Sequence, residues 1–102
     1  MILFVHPETQ RFIDSLPNNI GSRVDRGLRL LEEYGGLLAP PDSKKISGEL
    51  FELRVRTIVQ VRLIYGFSGN MTLVVHGFVK KSTKIPLREL RLAHHRFRTL
   101  AG

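Results

Sequence analysis

The 102-residue chain contains no cysteine. Disulfides and thiolate metal sites are therefore excluded, which suits a reducing cytosol. No long hydrophobic run is present either. The opening Met-Ile-Leu-Phe-Val is five apolar residues followed by His-Pro-Glu-Thr-Gln, too short for a signal-peptide core or a membrane span. No membrane association is expected, and a cytoplasmic location is. Walker, dinucleotide-binding and G-x-S-x-G signatures are all missing, which leaves those enzyme classes without their machinery. The histidines are His6, His76 and the adjacent pair His94-His95. Neighbours on a helix point about 100° apart and do not chelate as an i, i+4 pair would. Neither a metal nor any other cofactor is expected.

Acidic residues are scarce where basic ones gather. Lysine and arginine number 16 against nine acids, a net charge of +7. Residues 1–43 hold four arginines against six acids, a net of −2, while residues 44–102 hold twelve basic residues against Glu49, Glu52 and Glu89, a net of +9. A field concentrated on one half of a small protein attracts polyanions, and nucleic acid is the first candidate.

The length suits a single domain over residues 1–102, with one modest core. Ile2 to Val5 read as a short strand. His6-Pro7-Glu8-Thr9 opens a short helix, with Pro7 tolerated in its first turn and Pro17 ending it. In the next helix Ile20, Val24, Leu28 and Leu31 share one face, Asn18 or Asn19 can cap the start, and Gly35-Gly36 supplies a left-handed stop. Arg23, Asp25, Arg26, Arg29, Glu32 and Glu33 give it a mixed-sign face, solvated or set against a partner protein. Residues 37–48 read as irregular.

Three strands then follow. LFELRVR alternates Phe51, Leu53 and Val55 against Glu52, Arg54 and Arg56. VQVRLIYGF sets Val59, Val61, Leu63, Tyr65 and Phe67 against Gln60, Arg62 and Ile64. After a Ser68-Gly69-Asn70 turn, MTLVVHGFVKK sets Thr72, Val74, His76 and Phe78 against Leu73, Val75, Gly77 and Val79. A last helix starts at Pro86, with Leu90, Ala93, Phe97 and Leu100 facing the core and Arg88, Arg91, His95 and Arg98 forming a basic stripe. The expected class is α+β, a small antiparallel sheet packed on one face by two N-terminal helices and one C-terminal helix.

The side chains available for chemistry are Arg, Lys and His. RNA cleavage through its own 2′-hydroxyl suits them, since it needs no metal and no protein nucleophile. It needs an in-line geometry, groups that take and give a proton, and cations where charge builds on the phosphorane. If the first two long strands pair, Arg54 or Arg56 lies beside Arg62 on one side of the sheet. Salt bridges to Glu49 or Glu52 are the structural alternative, but two acids cannot neutralise three arginines and the nearby lysines. Lys80, Lys81 and Lys84 crowd the end of HGFVKKSTKIP, where mutual repulsion gives the fold nothing. Tyr65 and Phe67 read as core aromatics, and His76 reads as a buried, hydrogen-bonded histidine before it reads as a catalyst.

The run FELRVR, then VRLIYGF, then VVHGFVKKSTKIPLRELRLA resembles the phage-derived Gp49-like/HigB branch of the RelE toxin superfamily. Its most specific parts are E-L-R together with G-F-x-K-K-x-x-K-x-P. The resemblance is close over residues 44 to about 95 and extends upstream only as layout. It implies a RelE-like fold and the toxin of a type II toxin–antitoxin pair, an RNase that enters the ribosomal A site and cuts mRNA without a metal. By motif, Arg54, Arg62, Lys80, Lys81 and Lys84 are the implied catalytic group. Lys44, Lys45, Arg56, His76, Arg88, Arg91 and His95 are the RNA contacts expected to accompany it. A small helix-turn-helix antitoxin is the implied partner. Some relatives place a tyrosine or histidine near the chain's end as acid or base, but no tyrosine follows Tyr65 here. His94, His95 or the lysines are left for that task. Two other readings stand beside it: a non-catalytic nucleic-acid-binding module that uses the same basic surface, and a ParE-like gyrase poison, which acts on a protein target and is disfavoured by the lysine-rich end of the last strand.

Overall fold

A computed structural model of the chain describes residues 2–102. In order the elements are β1 (Ile2–Val5), α1 (Pro7–Asp14), α2 (Asn18–Tyr34), β2 (Ser43–Ser47), β3 (Leu50–Arg56), β4 (Gln60–Ser68), β5 (Met71–Lys80) and α3 (Leu87–Ala101). The strands form one sheet in the order β1-β5-β4-β3-β2. Pairing is antiparallel from β2 through β5, and β1 joins the β5 edge in parallel. The class is α+β, in keeping with a RelE-like fold. Among the described residues no helix is long and apolar enough to cross a membrane.

The helices cover both faces of the sheet, not one. Ile13 of α1 and Ile20, Val24 and Leu31 of α2 pack on Leu53, Val55, Val61, Leu63, Tyr65 and Val74. On the opposite face Ala93 and Phe97 of α3 pack on Leu50, Ile64, Leu73, Val75 and Phe78. The reason lies in β4, where every residue from Val61 to Gly66 is buried. A strand apolar on both sides needs cover on both sides. Gly66 lets α3 approach: a Cβ there would sit 2.5 Å from a ring carbon of Phe97. Burying a ring of that size contributes about 1.5–3 kcal/mol. Leu90 of the expected α3 stripe is half-buried, and Leu100, in the last turn, is exposed.

Three local expectations are corrected. Residues 43–47 are a strand, although Pro, Ser and Lys around them give little strand propensity. Tertiary pairing overrides that: Ser43 lies opposite Leu53 and Lys44 opposite Glu52, and the buried Ser43 hydroxyl shares a hydrogen bond with the Tyr65 hydroxyl. Pro17, not Asn18 or Asn19, occupies the capping position of α2 and makes no side-chain cap. Its extended backbone offers the carbonyl to the Ile20 and Gly21 amides at 2.9 and 2.8 Å. In β5 a register shift breaks the simple alternation, since Tyr65 pairs with Val74 but Ile64 pairs with His76. The extra residue, Val75, moves His76 and Phe78 to the α3 face while Val74 stays on the α2 face. The stop at Gly35 is as expected, with φ at 52° and its amide bonded to the Leu31 carbonyl.

Candidate functional site

The sheet sets a row of cations on its α3 side. Arg54 of β3 lies directly opposite Arg62 of β4, Gln60 opposite Lys80 of β5, and Lys44 of β2 opposite Glu52. At the usual strand separation the row from β2 to β5 spans roughly 14 Å. Like charges facing each other across a ladder repel, so something must hold the two arginines. Glu52 does so, two residues before Arg54 on the same strand face. Arg54 Nε donates to Glu52 Oε1 at 3.0 Å, and Arg62 Nε faces Glu52 Oε2 at 3.6 Å. Glu52 is 2% exposed and Arg62 7%. That second approach is an ion pair without a hydrogen bond, and among the described residues neither facing atom has a hydrogen-bond partner. Arg62 Nη1 donates to Gln60 Oε1 at 3.3 Å and to the Val61 carbonyl at 3.2 Å. Burial lowers the Arg62 pKa from its ordinary value, Glu52 raises it, and Arg54 and Arg56 lower it further. A guanidinium keeps its proton under all these influences.

Two shallow basins open over this row. One, of about 260 Å³, is lined by Lys44, Lys45, Glu52, Arg54, Lys80 and Lys84, with Ile46, Thr83, Ile85 and Leu90 as its remaining wall. Five cations there face one carboxylate. The second, of about 450 Å³, is lined by Gln60, Arg62, Lys80, Lys81, Ser82 and Thr83. Lys80 and Thr83 belong to both, so the basins adjoin. All five side chains expected to form the catalytic group thus lie along them, together with Lys44 and Lys45. Lys81 and Lys84 are exposed on a turn shaped by a hydrogen bond from Ser82 Oγ to the Lys84 carbonyl at 2.7 Å. Chemically, the arrangement can hold a phosphodiester and oppose negative charge that grows on it.

The other expected contacts lie elsewhere. Arg56 is exposed and lines a separate concavity with Asn19, Arg23, Thr57 and Ile58. Arg88, Arg91 and His95 are exposed on α3 and line neither basin. His94 also lines neither, and its Nε2 is bonded to Ser47 Oγ at 3.1 Å. His76, expected as an RNA contact, lines neither basin. It is 8% exposed, its Nε2 lies 2.9 Å from Glu89 Oε1, and its Nδ1 lies 3.1 Å from Arg96 Nη1. Burial lowers its pKa below the ordinary value, the Glu89 hydrogen bond and charge oppose this, and Arg96 reinforces it. The buried, hydrogen-bonded reading of His76 is the one the fold realises. Tyr65 and Phe67 likewise pack with Phe51 as core aromatics, at centroid distances of 5.5–5.6 Å.

Sequence reasoning missed four participants: Gln60, Thr83, Glu89 and Arg96. Gln60 was readable in principle, standing two residues before Arg62 on the same strand face. Arg96 was not, since it meets His76 across 20 residues of sequence. Glu52, a salt-bridge candidate on sequence grounds, has a larger part: it serves both arginines while itself lining the basin. Among the described residues no cluster of three or more His, Asp or Glu side chains is placed to hold a metal ion.

No curated protein matches the chain. A family match covers most of it, including the E-L-R and G-F-x-K-K-x-x-K-x-P segments that line the basins. The sequence model described as "Phage derived protein Gp49-like" aligns with residues 11–98, and the chain belongs to that family.

Proposed function

We propose that this protein is the toxin of a type II toxin–antitoxin pair, an endoribonuclease that cuts mRNA in the ribosomal A site. The observation that carries the reading is the cation row across β2–β5, with Arg54 and Arg62 fixed by one buried carboxylate and lysines arrayed at the rim. In the proposed reaction the 2′-oxygen attacks phosphorus, the bond to the 5′-oxygen breaks, and a cyclic phosphate and a free 5′-hydroxyl result. One proton leaves the 2′-hydroxyl and one reaches the departing 5′-oxygen. The phosphorane between them carries an extra negative charge, and Arg54 and Arg62 oppose it from a preset geometry. Neither His94 nor His95 lines a basin, so Lys80, Lys81 and Lys84 are the groups assigned to proton transfer. Lys44 and Lys45 hold the flanking backbone.

The ribosome, a helix-turn-helix antitoxin and a cytoplasmic setting belong to the same proposal, supported by the Gp49-like family membership. The test is induction of the chain in a bacterium, with growth followed and mRNA 5′ ends mapped by primer extension. Growth arrest with new in-frame cuts supports the reading. Soluble protein with intact transcripts and normal growth refutes it. RNA binding without cuts indicates a non-catalytic module, and broken DNA with intact mRNA indicates a gyrase poison.

A further inference from the structure

The lysine turn has little of its own to hold it. Lys81, Ser82, Thr83 and Lys84 are all exposed, so its orientation is inherited from the arms on either side, β5 and α3. A side-chain bridge joins those arms. His76 of β5 meets Glu89 in the first turn of α3 at 2.9 Å, a pair 13 positions apart in sequence that encloses Lys80, Lys81 and Lys84. About two turns further along α3, Arg96 Nη1 donates to the Val75 carbonyl and to His76 Nδ1, both at 3.1 Å. A guanidinium cannot accept a hydrogen bond, so Nδ1 is the acceptor and the ring proton sits on Nε2. That proton points at the Glu89 carboxylate. Phe78 stacks on the imidazole at 5.6 Å and fixes the ring plane. Leu90, next to Glu89, and Ile85, at the turn's far end, both line the cationic basin.

We propose that His76 and Glu89 are positioning residues whose hydrogen bond holds the lysine turn against Arg54 and Arg62. This rests on the reading of the basin as a phosphate site. Neither residue touches the basin, so each acts through the turn it closes. The tautomer makes the claim specific, because the two ring nitrogens have different jobs. Nε2 joins strand to helix at the turn, while Nδ1 only receives Arg96 farther along.

Two substitutions at one position separate those jobs. In His76→Gln the side-chain amide nitrogen takes the place of Nε2 and keeps a donor for Glu89. In His76→Asn the amide oxygen takes the place of Nδ1 and keeps only the Arg96 acceptor. Inorganic pyrophosphate is titrated into each isotope-labelled protein and followed by NMR, with amide hydrogen exchange recorded across the chain. His76→Gln is expected to match the parent. His76→Asn is expected to bind pyrophosphate roughly tenfold more weakly, the loss of one hydrogen bond to a charged group. Its amides from 81 to 85 exchange faster while those of β3 and β4 do not change. Glu89→Ala reproduces this result and carries the test if His76→Asn does not fold. The proposal is overturned if His76→Asn and Glu89→Ala match the parent in both readouts, or if His76→Gln is as impaired as His76→Asn. A parent that binds no pyrophosphate refutes the phosphate-site reading, and the exchange pattern at 81–85 then decides the positioning role by itself.

Discussion

Glu52→Gln tests the electrostatic centre of the site. The substitution keeps shape and an acceptor oxygen for Arg54 Nε but removes the charge that both arginines share. Glu52 is 2% exposed, and the side chains of Arg62 and Arg54 are 9% and 24% exposed, so water screens the loss poorly. Removing one partner of a buried pair costs about 3–5 kcal/mol. The retained hydrogen bond and the partial exposure of Arg54 place this case near about 3 kcal/mol. For a protein of this length that lowers the melting temperature by roughly 12–24 °C. The assay is urea and thermal unfolding followed by circular dichroism, in low salt and again in high salt. A second variant isolates the cause: Glu52→Leu combined with Arg54→Met and Arg62→Met removes all three charges together. Replacing a buried ionic group by apolar residues of similar volume is often neutral or stabilising, so the triple variant is expected to recover most of the loss. If Glu52→Gln unfolds within about 0.5 kcal/mol of the parent, the usual range for an inert surface change, the pivotal role of Glu52 is wrong. The same outcome removes the reason for regarding Arg62 as preset.

Other expectations follow from the same geometry. Arg62→Lys keeps charge but cannot reproduce the contacts to Gln60 and the Val61 carbonyl while aiming a second nitrogen at substrate; mRNA cleavage on purified ribosomes should fall about 10²–10³-fold, the scale of losing a transition-state donor. His76 has a folded-state pKa below the 6.5 of the unfolded chain, because burial outweighs Glu89. The unfolded state therefore takes up the proton first, so stability is full above about pH 6.5 and declines as pH falls through and below it. His76→Gln should remove that part of the decline in a series of melting curves from pH 8 to 5. His6 shifts in the same direction and remains in the variant, so the comparison of slopes, not their absolute values, is decisive. Gly66→Ala places a Cβ 2.5 Å from the Phe97 ring and should cost about 1–3 kcal/mol in urea unfolding; an unchanged midpoint would mean that α3 does not pack there.

Much of the site could be read along the chain because strands carry side-chain direction in a period of two. FELRVR put Glu52, Arg54 and Arg56 on one side, and pairing with VQVRLIY brought Arg62 beside Arg54 as that period requires. The lysine cluster was visible as a charge pattern that stability does not explain. What escaped detection depends on contacts between distant segments. β2 is short, polar and rich in lysine, and only its ladder with β3 makes it a strand; lysines suit an exposed sheet edge. The Val75 bulge has no mark in MTLVVHGFVKK, yet it decides that His76 faces α3 and not α2. Helices on both faces were signalled by the two-sided apolar character of β4, though hairpin reasoning alone put them on one. The Asn18 and Asn19 caps failed because Pro17 already set the start of α2.

The cationic surface has two kinds of member, held in two different ways. Arg62 is buried, bonded on two sides and faced by a carboxylate, so its position is set before any ligand arrives. Lys81 and Lys84 are exposed on a turn whose placement depends on a bridge some distance away. In the proposed reaction this division matches the tasks. Charge stabilisation gains from donors that need not reorganise as the phosphorane forms. Proton transfer needs a group that can approach one oxygen and then another, which a flexible ammonium can do and a locked guanidinium cannot. Crowding the lysines offers the fold no stability, and an anion relieves that repulsion only if the turn presents them beside the arginines. The His76–Glu89 bridge is therefore where sheet packing and the proposed chemistry meet, because it converts the docking of α3 into the placement of Lys81 and Lys84.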